Sequence, residues 1–364
     1  MTDPEDIARR AGEIKARAEQ IAADATDSQS VRDEIDRLDE ELRQLDEERR
    51  RLDDDLADRS MSSERAPWAD SVADVLSAAT ERVAALGERG WPWRVHSTVE
   101  RSVNTDGVVP VAIENKRGSI KVRAGDTNVV TVSAELSALA PHLLDEIEVT
   151  AERDGDEVVI RATWPGQRRR RRARLIVTVP PGTAVRADTS GGSISVAETR
   201  GSAAVTTKGG SITISGTSGD AKGRTAGGSV TVRDHVGPVH VGTSGGSIAI
   251  AGHITDAVEA TTSGGSISIA DVDRATVTAT TSGGSISVRG RLTGDSRVRT
   301  AGGSVTVSIP ADSQLHVHGK ANATSSDFAE LSAYRGGLEG TLGDGSDGSL
   351  ELRTSGGAVA LKKT

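Results

Sequence analysis

Apolar positions along this chain recur with two different periods, and the change from one to the other divides it. Up to about residue 90 the spacing is helical. Ile7, Ile14 and Ile21 lie seven apart with Ala11, Ala18 and Ala25 between them. A second heptad seam runs through Val31, Ile35, Leu38, Leu42, Leu45, Leu52 and Leu56, with Arg49 at the one missing core position. The phase slips between the seams at Thr26-Asp27-Ser28-Gln29-Ser30, a run of cap-forming residues in which Ser30 and Asp33 have capping-box spacing. This pattern fits a helical hairpin turning near residues 27 to 30, or one long coiled coil with a local phase defect. A lone helix would leave its leucine seam exposed. Homo-oligomerisation through the N-terminal helices is therefore expected, carried by Ile35, Leu38, Leu42, Leu45, Leu52 and Leu56, with an intramolecular hairpin closed on itself without a partner as the alternative. Pro67 then opens an amphipathic helix whose polar face holds Asp70, Asp74, Glu81 and Arg82, a balance ill suited to an anionic membrane.

From Trp93 onward the period is two, the signature of strands. Seven copies of Gly-Gly-Ser followed by alternating Ile or Val begin at Gly191, Gly209, Gly227, Gly245, Gly264, Gly283 and Gly302, at steps of 18, 18, 18, 19, 19 and 19 residues. A fixed period of this length means one coil of backbone repeated and stacked, each coil burying its apolar side against its neighbours. Alternation turns Ile194 and Val196 to one face and Ser193 and Ser195 to the other, and the later copies follow suit. Thr189, Thr207, Thr225, Thr243, Thr262, Thr281 and Thr300 each stand two residues before the first glycine, so stacking makes them a column. Gly118-Ser119-Ile120-Lys121-Val122 is an early echo of the repeat. A terminal copy, Thr354 to Val359, comes 54 residues after the last regular one, which predicts three further periods of 18.

The expected fold is mainly β: a β-solenoid of stacked 18–19-residue coils with an N-terminal α-helical coiled-coil segment. Residues 1–59 form the coiled coil or helical hairpin, 60–66 a linker and 67–90 the amphipathic helix. Residues 91–185 form a β-rich capping region over the first coil, 186–310 the regular repeats, and 311–364 irregular terminal coils and a cap.

Composition narrows the function more than the fold. Six aromatic residues among 364 leave a core of Val, Ile, Leu, Ala and Thr, and only Phe328 and Tyr334 lie beyond Trp164, so aromatic sugar platforms are missing from the repeats. The net charge of -9 belongs entirely to residues 1–60, where 20 acids face 11 bases; the remainder balances, and no nucleic-acid partner is expected. Without cysteine there is neither disulfide nor thiolate chemistry. The acidic start Met1-Thr2-Asp3-Pro4-Glu5 has no apolar leader pattern, which predicts a cytoplasmic protein with membrane contact at most peripheral.

Arg168, Arg169, Arg170, Arg171 and Arg172, with Arg174 close behind, are the candidate contact for an anionic partner through guanidinium forks; a solvated loop is the plainer alternative. His235 and His253 share a repeat position and read as a stacked surface pair, two ligands short of a metal site. The coil acids Glu198, Asp220, Asp234, Asp256, Asp271, Asp273 and Asp295 fall at scattered offsets, unlike the converging carboxylates a polysaccharide-active enzyme needs. No catalytic residue, metal or cofactor is expected.

The order of parts resembles a known family. Gly118-Ser119-Ile120-Lys121-Val122, a central hairpin, Val179-Pro180-Pro181-Gly182 before the first coil, then the repeated Thr-Ser-Gly-Gly-Ser-Ile-Ser-Val and a closing Thr-Ser-Gly-Gly are similar to the bacterial adhesin-like β-strand-repeat domain nicknamed Toastrack, over about residues 95–364. The resemblance implies no catalytic residues and a link to envelope-stress systems. The expectation is a non-enzymatic scaffold that multimerises through its helices and presents its solenoid to protein partners. An adhesin is the alternative and a polysaccharide-active β-helix enzyme a remote one.

Overall fold

The computed structural model describes residues 4–24, 37–38, 40–42, 44–45, 47–48, 79, 95–105, 107–126, 128–138, 141–166 and 171–364. They fall into two compact units. The first comprises Met1–Ser97, Leu136–Glu146 and Pro165–Arg172; the second, Thr98–Glu135, Ile147–Trp164 and Ala173–Thr364.

In the first unit, helix Pro4–Asp24 lies beside the helical residues between 37 and 48. Arg10 pairs with Glu48 at 3.0 Å and Arg17 with Glu41 at 3.0 Å, so the two segments run in opposite directions. Ile7, Ala11, Ile14 and Ala18 are buried, as are Leu38, Leu42 and Leu45. Of the two arrangements open in the sequence this is the hairpin, and the expected coiled coil is not what forms. The described part of the leucine seam, Leu38, Leu42 and Leu45, is covered within a single chain. Ile35, Leu52 and Leu56 lie outside the described residues.

The second unit is a two-sheeted solenoid. Each coil contributes one strand to each sheet, and coils stack in parallel. One sheet runs, neighbour by neighbour, through Arg171–Val179, Ile120–Ala124, Ile194–Ala197, Ile212–Ser215, Val230–Arg233, Ile248–Ile254, the start of Ile267–Thr281, Ile286–Leu292, Val305–Ile309, Ala358–Lys363 and Ala323–Ser326. The other runs through Glu157–Thr163, Val111–Asn115, Val185–Thr189, Ala203–Thr207, Ala221–Thr225, Val239–Thr243, Ala257–Thr262, the end of Ile267–Thr281, Gly294–Thr300, Gly348–Thr354 and Leu315–Lys320. Inward residues such as Ile212, Ile214, Val230, Val232, Ile248 and Ile250 are almost wholly buried, as the alternation predicts. In the longer, 19-residue periods the register shifts between Ala251 and Ile254 and again between Ile269 and Val272, so bulges absorb the additional residue.

Two ladders hold the glycine-rich corner. The hydroxyl of each column threonine donates to the carbonyl of the preceding coil's second glycine: Thr207 to Gly192 at 2.9 Å, Thr225 to Gly210 at 2.7 Å, Thr243 to Gly228 at 2.7 Å, and so on to Thr354 on Gly303 at 2.6 Å. The same oxygen accepts the N–H of the second glycine in its own coil, for example Gly246 at 3.3 Å. Outside, each serine Oγ from Ser211 to Ser285 accepts the N–H of the next serine at 3.1–3.3 Å. Both ladders bridge coils, so neither hydroxyl column is idle surface.

Coil order in space departs from coil order in the chain at both ends. The early echo is a full coil: Ile120 pairs with Ile194 on one side and Leu175 on the other. Residues 111–124 therefore lie inside the stack, and only the later strands of the expected capping region close that end. At the far end the terminal copy is not three periods away. Thr354 pairs directly with Thr300 and Val359 with Val305. Between Ile309 and Gly348 the chain instead makes an outer coil, Leu315–Lys320 and Ala323–Ser326, and an antiparallel hairpin, Leu331–Tyr334 with Gly337–Thr341. The chain then returns to slide its last coil beneath them.

Candidate functional site

With the threonines, second glycines and inward aliphatics committed to stacking, recognition is left to the outward columns. On the sheet that ends in the threonines, one outward position reads Arg186, Ala204, Lys222, His240, Glu259 in successive coils. Ala204 is short between two long cations, and this makes a shallow groove of about 230 Å³ whose walls include Glu157, Arg186, Asp220 and Lys222. Lys222 bonds Asp220 at 2.8 Å and Arg186 lies 3.4 Å from Asp188. The Lys222 ammonium holds the Asp220 carboxyl below its ordinary range. The groove is thus charge-balanced, suited to reading a polar partner surface. The hydrophobic pattern did not flag it, although the outward position of the second strand, tabulated coil by coil, contains the signal.

The arginine run divides. Arg168, Arg169 and Arg170 lie outside the described residues. Arg171 is 6% exposed. Its guanidinium donates to the Leu143 carbonyl at 3.2 Å, to the Pro165 carbonyl at 3.2 Å and to the Glu146 carboxylate. All three nitrogens of Arg171 are used inside the chain, tying the start of its strand to Leu143, Glu146 and Pro165. Arg174 bonds Glu135 at 3.3 Å, and Arg172 also has a partner of its own.

The histidine pair is not a surface pair. His253 is exposed and 3.8 Å from Asp273. His235 is fully buried, its Nδ1 2.9 Å from the Thr217 hydroxyl and its Nε2 3.3 Å from the Pro238 carbonyl. Since that carbonyl only accepts, Nε2 carries the proton and Nδ1 accepts from Thr217. The preceding residues of this 18-residue column, Thr199 and Thr217, are also buried, so the ring fills an interior corner. Burial disfavours the imidazolium and pushes this histidine below its ordinary value, against the weaker opposing pull of its hydrogen bonds. The unfolded chain consequently binds a proton that the fold resists. Stability is complete above the ordinary histidine pKa of about 6.5 and declines as pH falls through it, by at most about 1.4 kcal/mol per pH unit. His235→Thr, which continues the column, is expected to flatten that decline in denaturant titrations between pH 7.5 and 5. An unchanged difference between the two proteins across that range would exclude His235 as its source.

The scattered acids serve turns and pairs. Glu198, Asp234 and Asp271 sit at left-handed corners with φ of 59, 49 and 60°, and Asp295 accepts from Ser349 at 2.7 Å. Among the described residues no three His, Cys, Asp or Glu side chains are grouped to hold a metal ion, and no helix is long and apolar enough to cross a membrane.

No curated protein matches the chain in sequence. Similar solved structures include a candidate adhesin of Bacteroides fragilis, 14% identical over 73% of this chain and 97% of that one, with a TM-score of 0.36. A candidate adhesin of Parabacteroides distasonis is 9% identical over 74% of this chain and 97% of that one, with a TM-score of 0.35. A candidate cell adhesion protein of Clostridium sporogenes is 9% identical over 74% of this chain and 100% of that one, with a TM-score of 0.19. The family Toastrack DUF4097 matches residues 110–340, a span that opens just before the early coil and closes in the hairpin of the outer cap. With well over half of its length matched, this chain belongs to the Toastrack DUF4097 family.

Proposed function

We propose that this chain is a non-enzymatic interaction module whose solenoid is a rigid frame read by a protein partner. One observation carries this reading. The positions that recur in every coil are consumed by coil-to-coil bonds, while the outward position running Arg186, Ala204, Lys222, His240, Glu259 changes character at each step. A partner laid along the stack meets a fixed sequence of side chains at about 4.8 Å intervals, held without an ordering cost at binding. The N-terminal segment carries the chain's net acidity, which steers basic partners. We place the protein in the cytoplasm, serving an envelope-stress response as its family resemblance implies. Protease accessibility on intact cells combined with in-cell cross-linking tests both parts. The expected result is a protected protein with recurrent cross-links from Lys222 to one protein partner. Cleavage on intact cells would instead favour the adhesin reading.

A further inference from the structure

We propose that the outer face of the far cap binds a sugar carrying phosphate or sulfate esters, with the ester group held by Arg353 and Lys320 and the sugar ring laid against Tyr334. On the sheet that ends in the threonines, the last three parallel strands set Arg299, Arg353 and Lys320 in one row, each directly opposite the next. All three are exposed, at intervals of about 4.8 Å. Like charges in such direct register are destabilising. Elsewhere on this face that cost is avoided: Arg161 lies 3.1 Å from Glu114, Arg186 3.4 Å from Asp188 and Lys222 2.8 Å from Asp220, while Arg224 stands between Thr206 and Gly242. At the cap the adjacent carboxylate, Glu351, is taken by Arg299 at 2.6 Å and lies 3.8 Å from Arg297. Among the described residues neither Arg353 nor Lys320 has a carboxylate partner. A tetrahedral oxyanion seated between them relieves the repulsion, using the guanidinium fork of one and the ammonium of the other.

The row of cations ends on an aromatic ring. Beyond Lys320 comes Gly337 of the hairpin, and opposite Gly337 stands Tyr334. A Cβ on Gly337 would lie 2.2 Å from the Tyr334 Cζ, so the ring covers the glycine and takes the place in the row next to Lys320. Its hydroxyl is 3.4 Å from the Glu339 carboxylate, and the residue is still 53% exposed. Trp164 and Phe328 are buried, which leaves Tyr334 as the one open aromatic ring among the described residues. A ring beside two unpaired cations joins an apolar platform to positive charge. That combination suits a charged sugar, whose C–H face packs on the ring while its ester oxygens reach Lys320 and Arg353. A single strand of nucleic acid also combines charge with stacking, but it is held by successive rings, and this row has one. The site lies in the cap, apart from the groove of Arg186, Ala204 and Lys222, and does not rest on the protein-partner reading.

Calorimetric titration of the full-length protein with short dextran sulfate, dextran phosphate, plain dextran and inorganic polyphosphate at physiological salt tests the site. The dextran esters are expected to bind and plain dextran not to, the tighter of the two esters identifying the preferred group. Replacing both cations, Arg353→Gln with Lys320→Gln, should weaken the esters by about tenfold or more, whereas Arg224→Gln, an exposed cation on the same face, should change them by less than about twofold. Tyr334→Ala should weaken the dextran esters about fivefold and leave polyphosphate unchanged. Tyr334→Phe keeps the ring over Gly337 and should behave as the parent protein, which separates loss of the platform from loss of the hairpin. Four results would overturn the proposal: no binding of either ester, equal weakening by Arg224→Gln and the double variant, an equal effect of Tyr334→Ala on the esters and on polyphosphate, or tighter binding of a single-stranded oligonucleotide than of either ester.

Discussion

Gly228→Ala should destabilise the solenoid by about 3 kcal/mol or more, while Gly209→Ala, in a neighbouring repeat and in the same dipeptide, should leave it unchanged within about 0.5 kcal/mol. The difference is not one of backbone conformation, since neither glycine has the left-handed φ that favours glycine. It is one of distance. A Cβ on Gly228 would lie 2.2 Å from the carbonyl oxygen of Gly210, 2.4 Å from its carbon and 2.5 Å from the Ser211 nitrogen, all backbone atoms held in the stack. Relief requires the coils to part at that corner, which would also strain the Thr243 bond to the Gly228 carbonyl and the Thr225 bond to Gly210. A Cβ on Gly209 meets nothing within 4 Å. Thermal melts of the two variants beside the parent protein decide the matter. Equal shifts would mean that the stack tolerates a wider spacing at this corner and that close approach is not why the column is glycine.

That contrast also marks where sequence reading stops. Alternation of Ile and Val with Ser showed which side of each strand faces inward, because a residue spacing of two has only one structural meaning in a short strand. The hairpin was half visible: a phase slip beside Ser30 and Asp33 signals a turn, but seams of Ile and Leu satisfy an intramolecular or an intermolecular partner equally well. Within Gly-Gly, nothing in the sequence tells which glycine lies under the next coil. The column of threonines was plain to see, yet its purpose is a pair of hydrogen bonds to groups 15 or 16 residues earlier and three residues later, set by stacking geometry. His235 misled for a related reason, since polar corners are normally outside and this one faces in. As for the candidate contacts, the arginine run was conspicuous as charge, but the burial of Arg171 depends on Leu143, Glu146 and Pro165, which no local pattern links to it.

A chain ending at Asp347 should lose the fold of the solenoid's last three coils, although only 17 of 364 residues are removed. Ordinary termini tolerate such cuts because few contacts depend on them. Here the terminal strands Gly348–Thr354 and Ala358–Lys363 each have neighbours on both sides: Gly294–Thr300 and Val305–Ile309 on one, Leu315–Lys320 and Ala323–Ser326 on the other. Removing them takes out Leu350, Leu352, Val359 and Leu361, all buried, and detaches the outer coil from the stack it closes. At about 1.5–3 kcal/mol for each buried side chain the loss is comparable to the whole stability margin of a typical domain. Because so severe a cut removes the coils in question, Leu361→Ala tests the same contact with those coils in place, with an expected cost of about 2–5 kcal/mol against less than about 0.5 for the exposed neighbour Lys362→Ala. Hydrogen exchange on Leu361→Ala should show faster exchange at Ala323–Ser326 as well as at Ala358–Lys363, since an interlocked pair of coils loosens together. Faster exchange confined to the last strand would mean that the outer coil stands without it, and the intercalated order would then be a matter of chain path alone.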